Sequence, residues 1–140
     1  MKSISGAWLL LILITTVGCI PYPIEKKLQP ETKATILDEK NKPVEGAQVS
    51  LIASSYPNGI AQGYELKFTN NEGLVQFDSK YQWRIELLRL NGAEIFFWNW
   101  CVYKTGYETY MTTYRSADDW QDAFTVRLKP GATSECNYQQ

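Results

Sequence analysis

The sequence predicts an all-β protein, a small antiparallel β-sandwich of about seven strands. Short runs with period-two alternation, rich in β-branched or aromatic residues, recur at 33–37, 48–52, 65–69 and 74–77. Turn residues separate them: Asn41, Pro43 and Gly46 in "DEKNKPVEGA", then Asn70, Asn71 and Gly73 in "TNNEGL". Beyond the first nineteen residues no stretch sustains the period of a long amphipathic helix. Many short strands with little helix bury their apolar faces by stacking two sheets.

The chain opens with "MKSISGAWLLLILITTVGC", in which Lys2 precedes an apolar run at 7–14 and small residues lead to a cysteine. This is a secretory signal layout over residues 1–18. The run falls short of the ~20 residues of a membrane-spanning helix. Its end, "TVGC", resembles the lipobox of bacterial lipoproteins, although Thr16 stands where Leu, Val or Ile is usual. The resemblance implies a signal peptide cleaved before Cys19 and acyl chains, palmitate among them, on that residue. Several acyl chains hold a protein firmly, since each buried CH₂ contributes about 0.8 kcal/mol. The alternative is an ordinary cleaved signal or an uncleaved anchor. Ile20, where Asp would imply inner-membrane retention, points to the outer membrane of a bacterial cell envelope, with the body facing the periplasm.

Residues 19–32, with Pro21, Pro23 and Pro30, read as an extended linker from the lipidated cysteine. The sandwich domain is expected at 33–130 and a tail at 131–140. Removing the signal leaves 122 of the 140 residues, enough for one domain with a core. After the four early runs, residues 81–90 fit either a strand or one helical face. Asn91-Gly92 behind them favours a strand, hairpinned to "AEIFFWNWCVY". "AFTVRLKPG" supplies the last alternating strand through Phe124, Val126 and Leu128.

In "FFWNWCVY" the strand period separates Phe96, Trp98, Trp100 and Val102, wholly apolar and expected in the core, from Phe97, Asn99, Cys101 and Tyr103. Cys101 and Cys136, 35 positions apart, read most simply as a disulfide in an oxidising compartment, with two free thiols the alternative. Such a bond ties the tail to the second face. The tail so held is expected to cover that face; where it leaves the face open, Phe97, Tyr103, Tyr107 and Tyr110, which Tyr114 extends, are the candidate binding surface.

"ILDEKNKPVEGAQVSLIA" resembles the opening hairpin of carboxypeptidase regulatory-like domains, at Asp38, Pro43, Val44, Gly46, Ala47 and Val49. "FTNNEGLVQF" resembles their next block at Thr69, Asn70, Gly73 and Phe77, "KTGYETY" their Gly-Tyr segment at Gly106 and Tyr107, and "VRLKPG" their closing strand at Val126, Leu128 and Pro130. The resemblance implies a transthyretin-like (prealbumin-like) sandwich. The chain departs from it between Gln76 and Tyr103, which is long and unusually aromatic.

The chain contains no histidine, which excludes Ser-His-Asp and Cys-His nucleophiles and His-containing zinc sites. The hydroxyisourate-cleaving enzymes of the transthyretin-like fold depend on histidines, so their activity does not carry over. Asp118, Asp119 and Asp122 in "SADDWQD" lack the ligand spacing of a calcium loop and read as a solvated turn. No catalytic residue, metal or cofactor is expected, and a net charge of −1 without a basic stripe excludes nucleic acid as a partner. The expectation is a non-enzymatic, membrane-anchored envelope lipoprotein acting as a binding or scaffolding module. Its partner is an envelope protein. The alternatives are a carbohydrate- or peptidoglycan-binding module that stacks glycans on Trp98, Trp100 or Tyr103, and an accessory lipoprotein of a secretion apparatus.

Overall fold

A computed structural model describes residues 21–56, 61–87, 94–136 and 138. Nine strands follow in chain order: β1 (Pro21–Gln29), β2 (Thr32–Asp38), β3 (Gln48–Tyr56), β4 (Ala61–Phe68), β5 (Leu74–Phe77), β6 (Lys80–Leu87), β7 (Ile95–Tyr103), β8 (Tyr110–Met111) and β9 (Ala123–Leu128). They form a three-stranded sheet ordered β5-β2-β9, a four-stranded sheet ordered β4-β3-β7-β8, and a two-stranded ribbon of β1 and β6. Of the described residues, 21–26 and 83–87 make up one compact unit and the remainder a second. Both larger sheets belong to the second unit, where they form the expected small β-sandwich. The expected signal segment, Cys19 and Asn91-Gly92 lie outside the described residues. Among the described residues no helix is long and apolar enough to cross a membrane.

The core follows from alternation. Ala34 and Ile36 of β2, Val75 and Phe77 of β5, and Val126 and Leu128 of β9 line one wall. Val49 and Leu51 of β3 with Phe96, Trp98, Trp100 and Val102 of β7 line the other. The expected apolar face of β7 is therefore the core face. Trp100 stacks on Trp120 (5.0 Å between ring centroids) and Phe124 (4.5 Å) and meets Phe77 edge-on, so this ring of the four-stranded sheet touches two strands of the other sheet.

The pairing departs from a purely antiparallel plan at one place. β2 runs antiparallel to β5 but parallel to β9, in register from Lys33↔Ala123 to Asp38↔Leu128. Moreover, "DEKNKPVEGA" and "TNNEGL" connect strands of different sheets, β2 to β3 and β4 to β5, instead of closing hairpins. Side chains substitute for the missing ladder at both crossings, satisfying backbone groups the sheets leave unpaired. Asp38 accepts hydrogen bonds from the amides of Lys40 and Lys42, and Asn70 from those of Glu72 and Leu74. Thr69 donates its hydroxyl to the Val44 carbonyl and accepts from the Ala47 amide. Gly73 is required by its backbone: φ is 71°, and a Cβ there would lie 2.4 Å from the Ile36 carbonyl oxygen.

Two further expectations change. Residues 21–29, expected within the linker, form β1, whose residues alternate between exposed and half-buried down to Leu28. Its prolines are tolerated because a strand with one neighbour leaves half of its amides outside any ladder. The turn of the hairpin expected between 81–90 and the aromatic run lies outside the described residues, and among those described the two strands have other partners: β6 pairs with β1, and β7 lies between β3 and β8. Burial decides this. β7 is buried on both faces for most of its length and suits the middle of a sheet, whereas Tyr81, Trp83 and Ile85 of β6 are exposed. A turn signal fixes local geometry, not the partner.

Candidate functional site

The candidate site lies on the outer face of the four-stranded sheet. Across it Ser50 faces Cys101, Ile52 faces Asn99 and Ser54 faces Phe97, while β4 adds Tyr64 beside Ile52 and Leu66 beside Ser50. Only part of this face is covered. The Cys101–Cys136 disulfide, with Cα atoms 6.0 Å apart, brings the tail across the sheet. Tyr138 then stacks on Tyr64 (4.2 Å, 11° between planes), and its hydroxyl pairs with the Ser50 hydroxyl at 3.1 Å.

A second wall comes from the segment after β8, which is held by Asn99. The Asn99 Oδ1 accepts from the Thr112 hydroxyl (2.9 Å) and the Tyr114 amide (2.6 Å), and its Nδ2 donates to the Tyr114 carbonyl (3.1 Å). The Thr112 hydroxyl in turn accepts from the Trp100 amide. Asn99 is thus a buried polar residue whose amide oxygen is fully used in fixing a loop, which gives the segment one defined position. Between the tail and this segment remains an open groove of about 340 Å³, lined by Ile52, Tyr56, Phe97, Met111, Tyr114 and Tyr138, with Ser54, Asn99, Thr112, Thr113 and Arg115 as its polar members. Its volume is that of a small-ligand cleft.

The four expected surface residues separate in this structure. Phe97 lines the groove. Tyr103, half-buried and facing Gln48, shares its sheet face but is not in the groove wall. Tyr107 packs against the core and bridges to Pro130. Tyr110 faces Val102 on the core side, where its ring lies 6.3 Å from Phe124, and desolvation, with Tyr114 nearby, raises its phenol pKa. Trp98 and Trp100 are core residues, so neither offers a ring to a glycan. Sequence reasoning missed Ile52, Tyr56, Met111 and Tyr138 as groove residues. The alternation of Ser50, Ile52, Ser54 and Tyr56 along one strand was the available signal for the first two.

A polar cluster elsewhere in the same unit carries the strongest electrostatics. Glu65 of β4 accepts from the Gln29 side chain (2.7 Å) and pairs with Lys80 and Lys67. Gln29 also donates to the Asp78 carbonyl, and Lys67 to the Gln76 carbonyl. Burial raises the Glu65 pKa, but the hydrogen bonds from Lys80, Gln29 and Lys67 outweigh it and hold the carboxyl at about 2. A depressed folded-state pKa gives stability that is complete above the unfolded value near 4.5 and is lost as pH falls toward 2. Glu65→Gln is expected to cost about 1–3 kcal/mol at pH 7. It should also flatten the fall in stability between pH 5 and pH 2, measured as urea midpoints across that range. An unchanged slope removes Glu65 from the acid response.

Among the described residues no group of three or more His, Cys, Asp or Glu side chains is placed to hold a metal ion. No protein-family model, curated protein or solved structure matches the chain.

Proposed function

We propose that the chain is a non-enzymatic, membrane-anchored envelope lipoprotein whose sandwich, of transthyretin-like kind, acts as a binding module. The observation that carries the binding role is the open groove at Phe97, an apolar cleft with fixed walls on a face that the tail covers only in part. The wall positions come from a disulfide and a buried Asn network, so the cleft is pre-formed and binding needs little reordering. The lipid reading rests on "TVGC" and the signal ahead of it. For the transthyretin-like reading, the residues that carry the resemblance, Asp38, Thr69, Asn70 and Gly73, are those that shape the two crossings between sheets.

One experiment tests both halves. In intact cells Cys19→Ser is expected to abolish labelling by a radioactive fatty acid and release the protein from the membrane fraction. A photo-crosslinking residue at Phe97 in the Cys19 protein is expected to give a discrete envelope adduct that the same probe at Glu72, an exposed turn residue, does not give. Persistent fatty-acid labelling sinks the lipid half. Equal adducts from both probe sites, or none from Phe97, sink the groove half.

A further inference from the structure

The ribbon carries a pair of side chains that neither the sandwich core nor the groove uses. Trp83 and Ile85 stand two apart on β6 and so share one face of that strand, with 69% and 77% of their surface exposed. Large neighbouring apolar side chains left in water mark an interaction surface. Among the described residues β1 and β6 pair with no third strand, and a two-stranded sheet alone is marginal in water.

We propose that Trp83 and Ile85 insert into the interfacial layer of the bilayer that holds the acyl chains of Cys19. This rests on the lipoprotein reading above. The tether chooses the occupant. Cys19 precedes Pro21, the first residue of β1, by two positions, which is no more than about 7 Å of extended chain. Residues 21–26 lie in the same compact unit as Trp83 and Ile85. Acyl chains on Cys19 therefore cannot enter a bilayer without drawing this unit to its surface. Once there, a Trp is the side chain that the headgroup layer favours, since its ring is apolar and its N–H finds a polar partner. An adjacent Ile adds apolar area that the same layer desolvates. The ribbon then becomes a second membrane contact beside the lipid, and it restricts the orientations available to the tethered chain.

The test uses the full-length lipidated protein, reconstituted into phosphatidylethanolamine–phosphatidylglycerol vesicles doped with a phospholipid brominated high on its acyl chain. Trp98 and Trp100 are buried in the core and the half-buried Trp120 is stacked on Trp100, so bromine quenching of tryptophan emission is expected to come mainly from Trp83, which is 69% exposed. The expected result is quenching that Trp83→Phe loses by half or more, and that Ile85→Trp in the Trp83→Phe background restores. Equal quenching in wild type and Trp83→Phe overturns the proposal, as does absence of quenching in wild type. Emission from Trp83 that is shielded from acrylamide in detergent in proportion to protein concentration points to pairing with a second copy and also overturns it. Intact mass of the same samples separates the two readings. A missing lipid on Cys19 removes the lipoprotein reading and this one with it, whereas lipid present without quenching removes only the ribbon contact.

Discussion

Trp100→Ala is expected to remove about 3–5 kcal/mol of stability, the range for truncating a fully buried large aromatic residue. Trp100 has only 1% of its surface exposed, and its ring bridges the two sheets, stacking on Phe124 of β9 and Trp120 and meeting Phe77 of β5 edge-on. Truncation removes the apolar transfer term and leaves a cavity whose walls are rings held by the three-stranded sheet and by the segment carrying Trp120, so collapse to fill it is limited. Against a typical total of about 5–15 kcal/mol, this is a large share. The change should appear as a lower urea midpoint with a similar slope. Tyr56→Ala, an exposed residue on the same sheet, is expected to stay within about 0.5 kcal/mol and serves as the control. A Trp100→Ala loss below about 1 kcal/mol contradicts a core organised around this ring.

What the sequence revealed depended on how local the cause was. The apolar face of β7 was legible because parity within one strand needs no knowledge of neighbours, and Phe96, Trp98, Trp100 and Val102 follow it into the core. The Cys101–Cys136 bond was legible from the cysteine count, given the expectation of an oxidising compartment. Pairing was not. Asn91-Gly92 signals a turn, but the partners of β6 and β7 are settled by how much of each strand is buried, a property of the whole assembly. The parallel β2–β9 pair joins residues about ninety positions apart, and no local pattern announces it. Parity also misled at the site, since it stops where a strand stops. β8 ends at Met111, so Tyr110 turns toward the core side while Tyr114, four residues on, lines the groove. Tyr138 was hidden for a different reason: its place is set by the disulfide two residues earlier and by a stacking partner, Tyr64, on another strand.

Cys136→Ala is the second large perturbation, and its effect should divide between the unfolded chain and the groove. The bond spans a sequence separation of 35 residues. Closing a loop of that length removes about 4 kcal/mol of chain entropy from the unfolded state, within a usual range of about 2–4 kcal/mol for a native disulfide. Cys101, left behind, is wholly buried and remains a small apolar side chain, so little is lost in the folded sheet itself. The tail is different. Without the bond, the contacts that remain among the described tail residues are the stack of Tyr138 on Tyr64, the hydroxyl contact with Ser50, the Gly131 amide on the Gly106 carbonyl, and the Thr109 and Thr133 hydrogen bonds. These are exposed or half-exposed interactions of about 1 kcal/mol each at most, too little to order a chain end against its entropy. The expected outcome is a drop of about 2–4 kcal/mol in urea, together with protease cleavage of the segment after Gly131 under conditions where the wild-type tail resists. Tyr138 forms one wall of the groove, so the Phe97 crosslink should broaden from a discrete adduct to several, or disappear. Tyr138→Ala separates the two contributions, because it removes the wall while keeping the bond: it should alter the crosslink with a stability change under about 1 kcal/mol. A Cys136→Ala protein that retains wild-type tail protection and the wild-type crosslink would show that the bond stabilises the chain without shaping the groove.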